Sequence, residues 1–572
     1  MKKIKKLRKI FNKVRIDGYI VPKNDEYFGE YVSEYNDRLN YISNFSGSFG
    51  LGLILKNKNY LFVDGRYTLQ AYNQSGKFFK IITFPDKMPS DILRNKKFSI
   101  GFDPRLFTKK TLNIFFGKSN CSFKPLDFNL IDKTWKREIE KSQNNFYLLP
   151  KYSGNDNYKL KIKKILLNLK KKNADFLFIT SSENNAWLFN IRGQDTEYTP
   201  LPHSHTLISK NREILFFCDL KKVSYSLRKK FNKVKFLSKD LLTDILLKIN
   251  SKKFILDKNT CSFYFENLIS KNNKILNSED PIYFLKAIKN KKEINNIKQA
   301  HIYDGVALTK FLFWIKKNFK SKQITEISAS RKLLDLRKKN KKFKSSSFPT
   351  ISGSGSNGAI IHYKPDKKTN RKLRKGDIYL VDSGGQYEFG TTDVTRTIAL
   401  QNNNKRIKNI FTRVLKGHIA VADFKLNKNS SGSSIDFKAR KYLREIGLDF
   451  PHSTGHGVGY YLNVHEGPHA ISKNNKIKLN EGMVVSNEPG YYEKNNFGIR
   501  IENLIYVKKR KKRKIFENLT LVPIEKDLID NKLLNFEEKK WLNNYHKKVY
   551  ASIQNFMSED ERIELKKACS VI

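Results

Sequence analysis

The chain has 572 residues, 39% of them hydrophobic and 13% aromatic, which is enough apolar material for packed cores and excludes a wholly disordered protein. Its 111 Lys and Arg against 55 Asp and Glu give a formal charge of +56. The excess is mostly lysine, spread along nearly the whole sequence with abundant asparagine and isoleucine. That is compositional bias displayed as a solvated surface, not the focused stripe of a nucleic-acid footprint, and no specific nucleic acid is expected as partner.

Ile4, Leu7, Phe11 and Val14 recur at helical spacing, predicting an amphipathic first helix that leads into a strand at "GYIVP". This start has no apolar core of signal-peptide length and no small-residue cleavage site. No run reaches the roughly 18 apolar residues of a membrane span, so no membrane is expected as partner. Strands follow at "FGLGLILKN", "NYLFVDGRY" and "FSIGFDP", making an α/β domain over residues 1–142 that fades into a polar linker, "EKSQNN", at 140–145. A second cycle of helix and strand, with further strands at "REILFFCDL" and "KKFILDKN", fills residues 143–284. Its rhythm repeats the first closely enough to suggest a diverged duplication.

From about residue 285 the texture changes. "KAIKNKKEINNIKQAHIYDGVALTKFLFWIKKNF" predicts one long amphipathic helix, and Gly/Ser-rich loops and strands come after it. The basic run "KKRKKRK" at 508–514 lies between two apolar runs and is expected as the exposed turn of a β-hairpin. A tail of polar-faced helices completes an α+β module over 285–572. Cys121, Cys218, Cys261 and Cys569 form no CxxC pair, which points to a reducing, cytoplasmic location.

"TGHGVGYYLNVHEGPH" carries three of the ten histidines, and His452 just upstream makes a fourth. Alone, this stretch is equally a metal site, a catalytic dyad or a histidine-rich loop. The acids in strand-like runs bear on the choice. Asp382 ends the apolar run of "GDIYLVDSGG", and Asp393 starts the next after the turn-rich "SGGQYEFG". A hairpin would set both carboxylates on neighbouring strands, where burial calls for a cation; the competing reading is that both merely cap turns. Glu488 ends the run in "MVVSNEPGYY", and Glu502 interrupts the one in "GIRIENLIYV". Four such carboxylates and one histidine suit two hard divalent ions, Mn²⁺ above a thiolate-type zinc.

Together, "VDGRYTLQA", "NNAWLFNIRGQD", "GAIIHYKP", "VDSGGQYEFGTTDVTRT", "TGHGVGYYLNVHEGP", "NEPGYY" and "GIRIENL" resemble the Xaa-Pro aminopeptidases, the aminopeptidase P branch of the pita-bread metallopeptidases, in the long three-domain form. The resemblance implies two creatinase-type N-terminal α/β domains followed by a pita-bread catalytic domain. It implies removal of the N-terminal residue from peptides with proline second, by attack of a hydroxide bridging two metal ions. Asp382, Asp393, His456, Glu488 and Glu502 are the implied ligands, with Asp393 and Glu502 shared between the ions. His362 and His465 match substrate-facing histidines, Glu488 the proton acceptor, and Arg66 a first-domain arginine that reaches the peptide. His452 and Arg500 align with the periphery of the site, where substrate contact and a structural role are both open. The family also implies a homodimer. The nearest alternative is a prolidase acting on Xaa-Pro dipeptides, which uses the same ligands. A non-catalytic basic binding module is the alternative from a different class.

Overall fold

The computed structural model describes residues 2–137, 144–154, 157–511 and 513–572. The expected linker at 140–145 and the boundary at 142/143 fall largely on residues 138–143, outside the described ones. The chain divides into two compact units, residues 1–149 with 156–283 and residues 150–155 with 284–572.

In the first unit, helix Lys2–Phe11 buries Ile4, Leu7 and Phe11. Val14, counted on the same stripe in the sequence, lies beyond the end of the helix, where the chain turns through Arg15 at φ 53° before entering strand Gly18–Pro22. That strand lies inside a six-stranded sheet ordered Lys80–Phe84, Asn59–Asp64, Leu51–Leu55, Gly18–Pro22, Ser99–Phe102, Ser122–Pro125. Tyr19, Val21, Ile54, Leu61 and Val63 pack into the core on one face, and Ile20, Leu53, Phe62 and Ile100 into that on the other. Burial on both faces explains the near-continuous apolar runs.

A second six-stranded sheet is ordered Lys235–Ser238, Ile214–Cys218, His205–Ser209, Phe176–Ile179, Lys253–Leu256, Lys274–Asn277. Read across each sheet, successive pairings run parallel, antiparallel, antiparallel, parallel, parallel in both. The repeated sequence rhythm is thus a repeated topology, down to strand order and direction.

In the second unit, the long helix expected from residue 286 onward is two helices, Pro281–Ala287 and Lys291–Asn318. The break has a local cause. The side chain of Asn290 accepts from the N–H groups of Lys292 and Glu293, and the Glu293 carboxylate accepts from the Asn290 N–H, a capping box that starts a new helix. Helix Glu326–Lys338 follows.

Two sheets frame the centre of this unit. One is three-stranded and antiparallel, with Ile378–Ser383 between Ile351–Ser354 and Val394–Ala399. The other is five-stranded, ordered Glu466–Ile471, Gly455–Gly457, Val484–Asn487, Asn503–Arg510, Arg513–Asn518. Within the basic run, residues 508–510 and 513–514 occupy the paired ends of its last two strands, Lys508 opposite Ile515 and Arg510 opposite Arg513, so the run is more than a turn. Arg396, buried to 1% exposure, ties the sheets together. It donates to the carbonyls of Glu502, Val522 and Pro523 and to the Tyr545 hydroxyl. Helices Phe536–Ile553 and Glu559–Ala568 form the tail. Among the described residues no helix is long and apolar enough to cross a membrane.

Candidate metal centre and active site

Asp382 lies in strand Ile378–Ser383 directly opposite Thr395, and Asp393 precedes the strand that carries Thr395. The segment between the two acids folds into a small hairpin, Gly385–Tyr387 with Gly390–Thr391. The two carboxylates therefore stand at one end of adjacent strands. Glu488 follows strand Val484–Asn487, its N–H donating to the Thr454 carbonyl (2.8 Å). Glu502, within its apolar run, lies at the edge of a strand. It separates Phe497–Arg500 from Asn503–Arg510, and its N–H reaches the Thr395 carbonyl at 3.2 Å.

His456 is the middle residue of strand Gly455–Gly457. Its N–H donates to Ser486 Oγ (2.9 Å), and Nδ1 lies 2.9 Å from the Gly457 carbonyl. Nε2 is left facing Asp393 Oδ2 and Glu488 Oε1, each at 3.4 Å. Glycine on either side is a steric requirement: a Cβ at 455 would sit 1.9 Å from the Ser486 carbonyl oxygen, and one at 457 would sit 2.2 Å from that of Glu466.

Ligand atoms of Asp393, His456 and Glu502 all lie within 4.8 Å of one another. Glu488 joins this trio through His456, whereas Asp382 is held from the other side by Arg500, whose Nη2 donates to Asp382 Oδ2 (2.6 Å). Arg500 also donates to the Tyr492 hydroxyl (2.6 Å) and to Thr395 Oγ1 (3.0 Å), and Thr395 passes the contact on to Glu502 Oε2 (2.8 Å).

The electrostatics follow from crowding acids in a buried place. Burial, with Asp393 and Glu488 adding to it and Arg500 opposing, pushes Asp382 up to about 7. Burial and the neighbouring carboxylates raise Glu488, and raise Glu502 well above the usual range. Burial lowers His456, but its contacts with Asp393 and Glu488 outweigh that and lift it to about 9. Such a cluster takes up protons unless cations replace them.

The residues fit divalent ions. Asp382 Oδ1 and Asp393 Oδ1 are buried with no hydrogen-bond partner, an expense that coordination would remove. The donors are carboxylate oxygens and one imidazole, with no thiolate among them, which favours a hard ion.

Around this centre, the His465 ring lies 4.3 Å from that of His456, edge to face. His362 sits in the loop after Gly355–Ala359, and the carbonyl of its neighbour Ile361 receives Arg500 Nη2 at 3.5 Å. His452 Nε2 lies 2.9 Å from the Tyr492 hydroxyl, so His452, Tyr492, Arg500 and Asp382 form a continuous chain. In the first unit, Arg66 makes a two-pronged ion pair with Asp64 (2.6 and 2.9 Å). His469 is in strand Glu466–Ile471 with Nε2 on the Val484 carbonyl (2.8 Å), and burial lowers it to about 4. Sequence reasoning missed Tyr492, Thr395 and Ser486. Tyr492 and Thr395 each lie close in sequence to an acid already singled out, a signal that was present but not specific.

Residues 295–509 match the model for metallopeptidase family M24, and 515–572 match the C-terminal region of peptidase M24. Residues 3–129 and 137–293 each match a creatinase/prolidase N-terminal domain. The probable Xaa-Pro aminopeptidase P of Laccaria bicolor is 36% identical over 601 residues, covering 99% of this chain and 93% of that protein. Xaa-Pro aminopeptidase 1 of Dictyostelium discoideum is 36% identical over 592 residues, covering 96% and 92%. The crystal structure of X-prolyl aminopeptidase from Caenorhabditis elegans, a cytosolic enzyme with a di-nuclear active site, matches with a TM-score of 0.94 at 32% identity, over 100% of this chain and 99% of that one. The fold is that of an M24 metallopeptidase with creatinase-type N-terminal domains, the class the sequence motifs implied. Within that class the chain belongs to the Xaa-Pro aminopeptidase P family.

Proposed function

We propose that this protein removes the N-terminal residue from peptides with proline in the second position, using two divalent ions, Mn²⁺ by preference. The observation that carries the reading is the Asp393, His456 and Glu502 trio with the orphaned Oδ1 atoms of Asp382 and Asp393, in a chain similar from end to end to Xaa-Pro aminopeptidases. Asp382 would hold one ion, His456 and Glu488 the other, with Asp393 and Glu502 between them. When bound, the ions supply a water of lowered pKa and neutralise the crowded acids.

The chain's own residues do the rest. Glu488 accepts a proton from the attacking water, and its Oε1, receiving the Ser486 hydroxyl at 3.0 Å, keeps the carboxylate oriented. His362 and His465 hold the scissile carbonyl and stabilise the charge that develops on its oxygen. Arg500 fixes Asp382, and His452 supports Arg500 through Tyr492. Arg66 is assigned to peptide binding on the resemblance alone.

We further infer a three-part organisation at 1–142, 143–284 and 285–572, a homodimer and a cytoplasmic location, with neither nucleic acid nor membrane as partner. The test is cleavage of an Xaa-Pro-Xaa tripeptide, an Xaa-Pro dipeptide and an Xaa-Ala-Xaa control by metal-stripped protein with and without Mn²⁺. Mn²⁺-dependent release of the first residue from the tripeptide is expected. Cleavage of the dipeptide alone would make the protein a prolidase, and no cleavage with any divalent ion would remove the enzymatic reading.

A further inference from the structure

We propose that Glu326 is a positioning residue for catalysis, setting the loop that presents His362. The inference rests on the reading of His362 as a substrate-facing group. Glu326 is the first residue of helix Glu326–Lys338, where an acid needs no partner beyond the helix terminus and solvent. Instead its side chain is fully buried, with 0% exposure, and no cation is hydrogen-bonded to it among the described residues.

Its carboxylate grips the loop at both ends and in the middle. Oε1 accepts the Ser354 N–H (2.8 Å), and Oε2 accepts the Arg371 N–H (2.8 Å). The Tyr363 hydroxyl donates to Oε2 (2.8 Å), and Asn357 Nδ2 donates to both oxygens (3.1 and 3.0 Å). The backbone of Glu326 closes the same ring: its N–H donates to the Arg371 carbonyl (3.0 Å), and its carbonyl accepts from Ser352 Oγ (2.8 Å). Burying a carboxylate is costly, and a neutral hydrogen-bonding side chain would hold a loop more cheaply. The charged acceptor makes each of these bonds stronger than its neutral counterpart.

What lies inside the grip is specific. His362 is flanked by Tyr363, tied to Glu326, and by Ile361, whose carbonyl receives the arginine that orients Asp382. On its other side the loop presses on strand Phe497–Arg500, where a Cβ at Gly498 would lie 1.8 Å from the Gly358 carbonyl oxygen. The histidine is thus set between two independently anchored neighbours, one fixed by Glu326 and the other by the metal-site arginine.

The experiment compares wild type, Glu326→Gln, Tyr363→Phe, His362→Ala and the Glu326→Gln/His362→Ala double variant. Each full-length protein is loaded with Mn²⁺ and assayed on an Xaa-Pro-Xaa tripeptide, with metal content and thermal unfolding measured in parallel. Glu326→Gln is expected to lower kcat/KM about tenfold or more, chiefly through kcat, with metal content unchanged. Tyr363→Phe should show a smaller loss in the same direction, and the double variant should be no worse than His362→Ala alone. Wild-type kcat/KM in Glu326→Gln, or losses that multiply in the double variant, would overturn the proposal. If Glu326→Gln fails to fold, Tyr363→Phe alone and combined with His362→Ala decides by the same criterion. An inactive wild type would overturn the functional reading together with this inference, whereas an active wild type with an indifferent Glu326 overturns only the inference.

Discussion

Arg500 Nη2 holds one oxygen of Asp382 at 2.6 Å while the other oxygen, Oδ1, is buried with no hydrogen-bond partner. The arginine therefore orients the acid without consuming its capacity to bind an ion. Lysine cannot reproduce the fan of donors that reaches Asp382, Tyr492 and Thr395 at once. Arg500→Lys is expected to weaken Mn²⁺ binding or activity about 10–100-fold, the usual cost of losing an outer partner of a ligand. Titration of the metal-free protein followed by calorimetry checks this, and unchanged affinity with unchanged activity would refute it.

Asp393 belongs to the compact trio and also raises Asp382, Glu488 and Glu502 by its charge. Wild type is expected to gain about 2.7 kcal/mol of stability in Mn²⁺ at 100 times the dissociation constant. Asp393→Asn should lose most of that gain and all peptide cleavage. Denaturant unfolding with and without Mn²⁺ measures both proteins; an equal metal-induced gain in the variant would remove Asp393 from the ligand set.

Burial lowers His546 to about 3, and its Nε2 accepts the Ile524 N–H at 3.1 Å. An unfolded histidine titrates near 6.5. Above that pH neither state is protonated and this group is neutral to stability. As pH falls from 6.5 toward 3 the unfolded chain takes up the proton first, so stability is lost at about 1.4 kcal/mol per pH unit. His546→Gln, which retains an acceptor, should therefore lose about 2 kcal/mol less than wild type between pH 6.5 and 5. Urea midpoints at the two pH values decide the matter; parallel losses would mean that His546 is protonated in the fold.

Gly498→Ala drives a methyl group into the Gly358 carbonyl, 1.8 Å away, so the strand ending at Arg500 and the loop leading to His362 must separate. A cost of about 1–3 kcal/mol in stability is expected. A fall in kcat/KM should accompany it, because both flanks of the site move. Thermal unfolding and tripeptide kinetics on the same preparation test the pair of effects, and a variant as stable and active as wild type would show that the loop yields freely.

The acids were legible because each broke an apolar run, and a carboxylate there is too costly to be incidental. The paired rhythms of the first two cycles were legible for a similar reason: strands buried on both faces are uniformly apolar and stand out. The break before Lys291 was readable in principle, since Asn290 and Glu293 have capping-box spacing, but the apolar periodicity on either side overrode it. Tyr492, Thr395 and Glu326 were not legible. A tyrosine, a threonine or a helix-initial glutamate is ordinary in sequence, and what sets these three apart is a partner supplied by a distant segment. Glu326 meets Arg371, and Thr395 meets Glu502, across spans that no local pattern reports.

Arg396 also bears on when the protein can become active. It reaches the carbonyls of Glu502, Val522 and Pro523 and the Tyr545 hydroxyl, so the wall that carries Glu502 is fixed only once Tyr545 has been made. A chain emerging from the ribosome through Glu488 holds Asp382, Asp393 and His456 but lacks both the third member of the trio and the strut behind it. Completion of the trio and of the strut behind it is therefore a late event in synthesis of the chain.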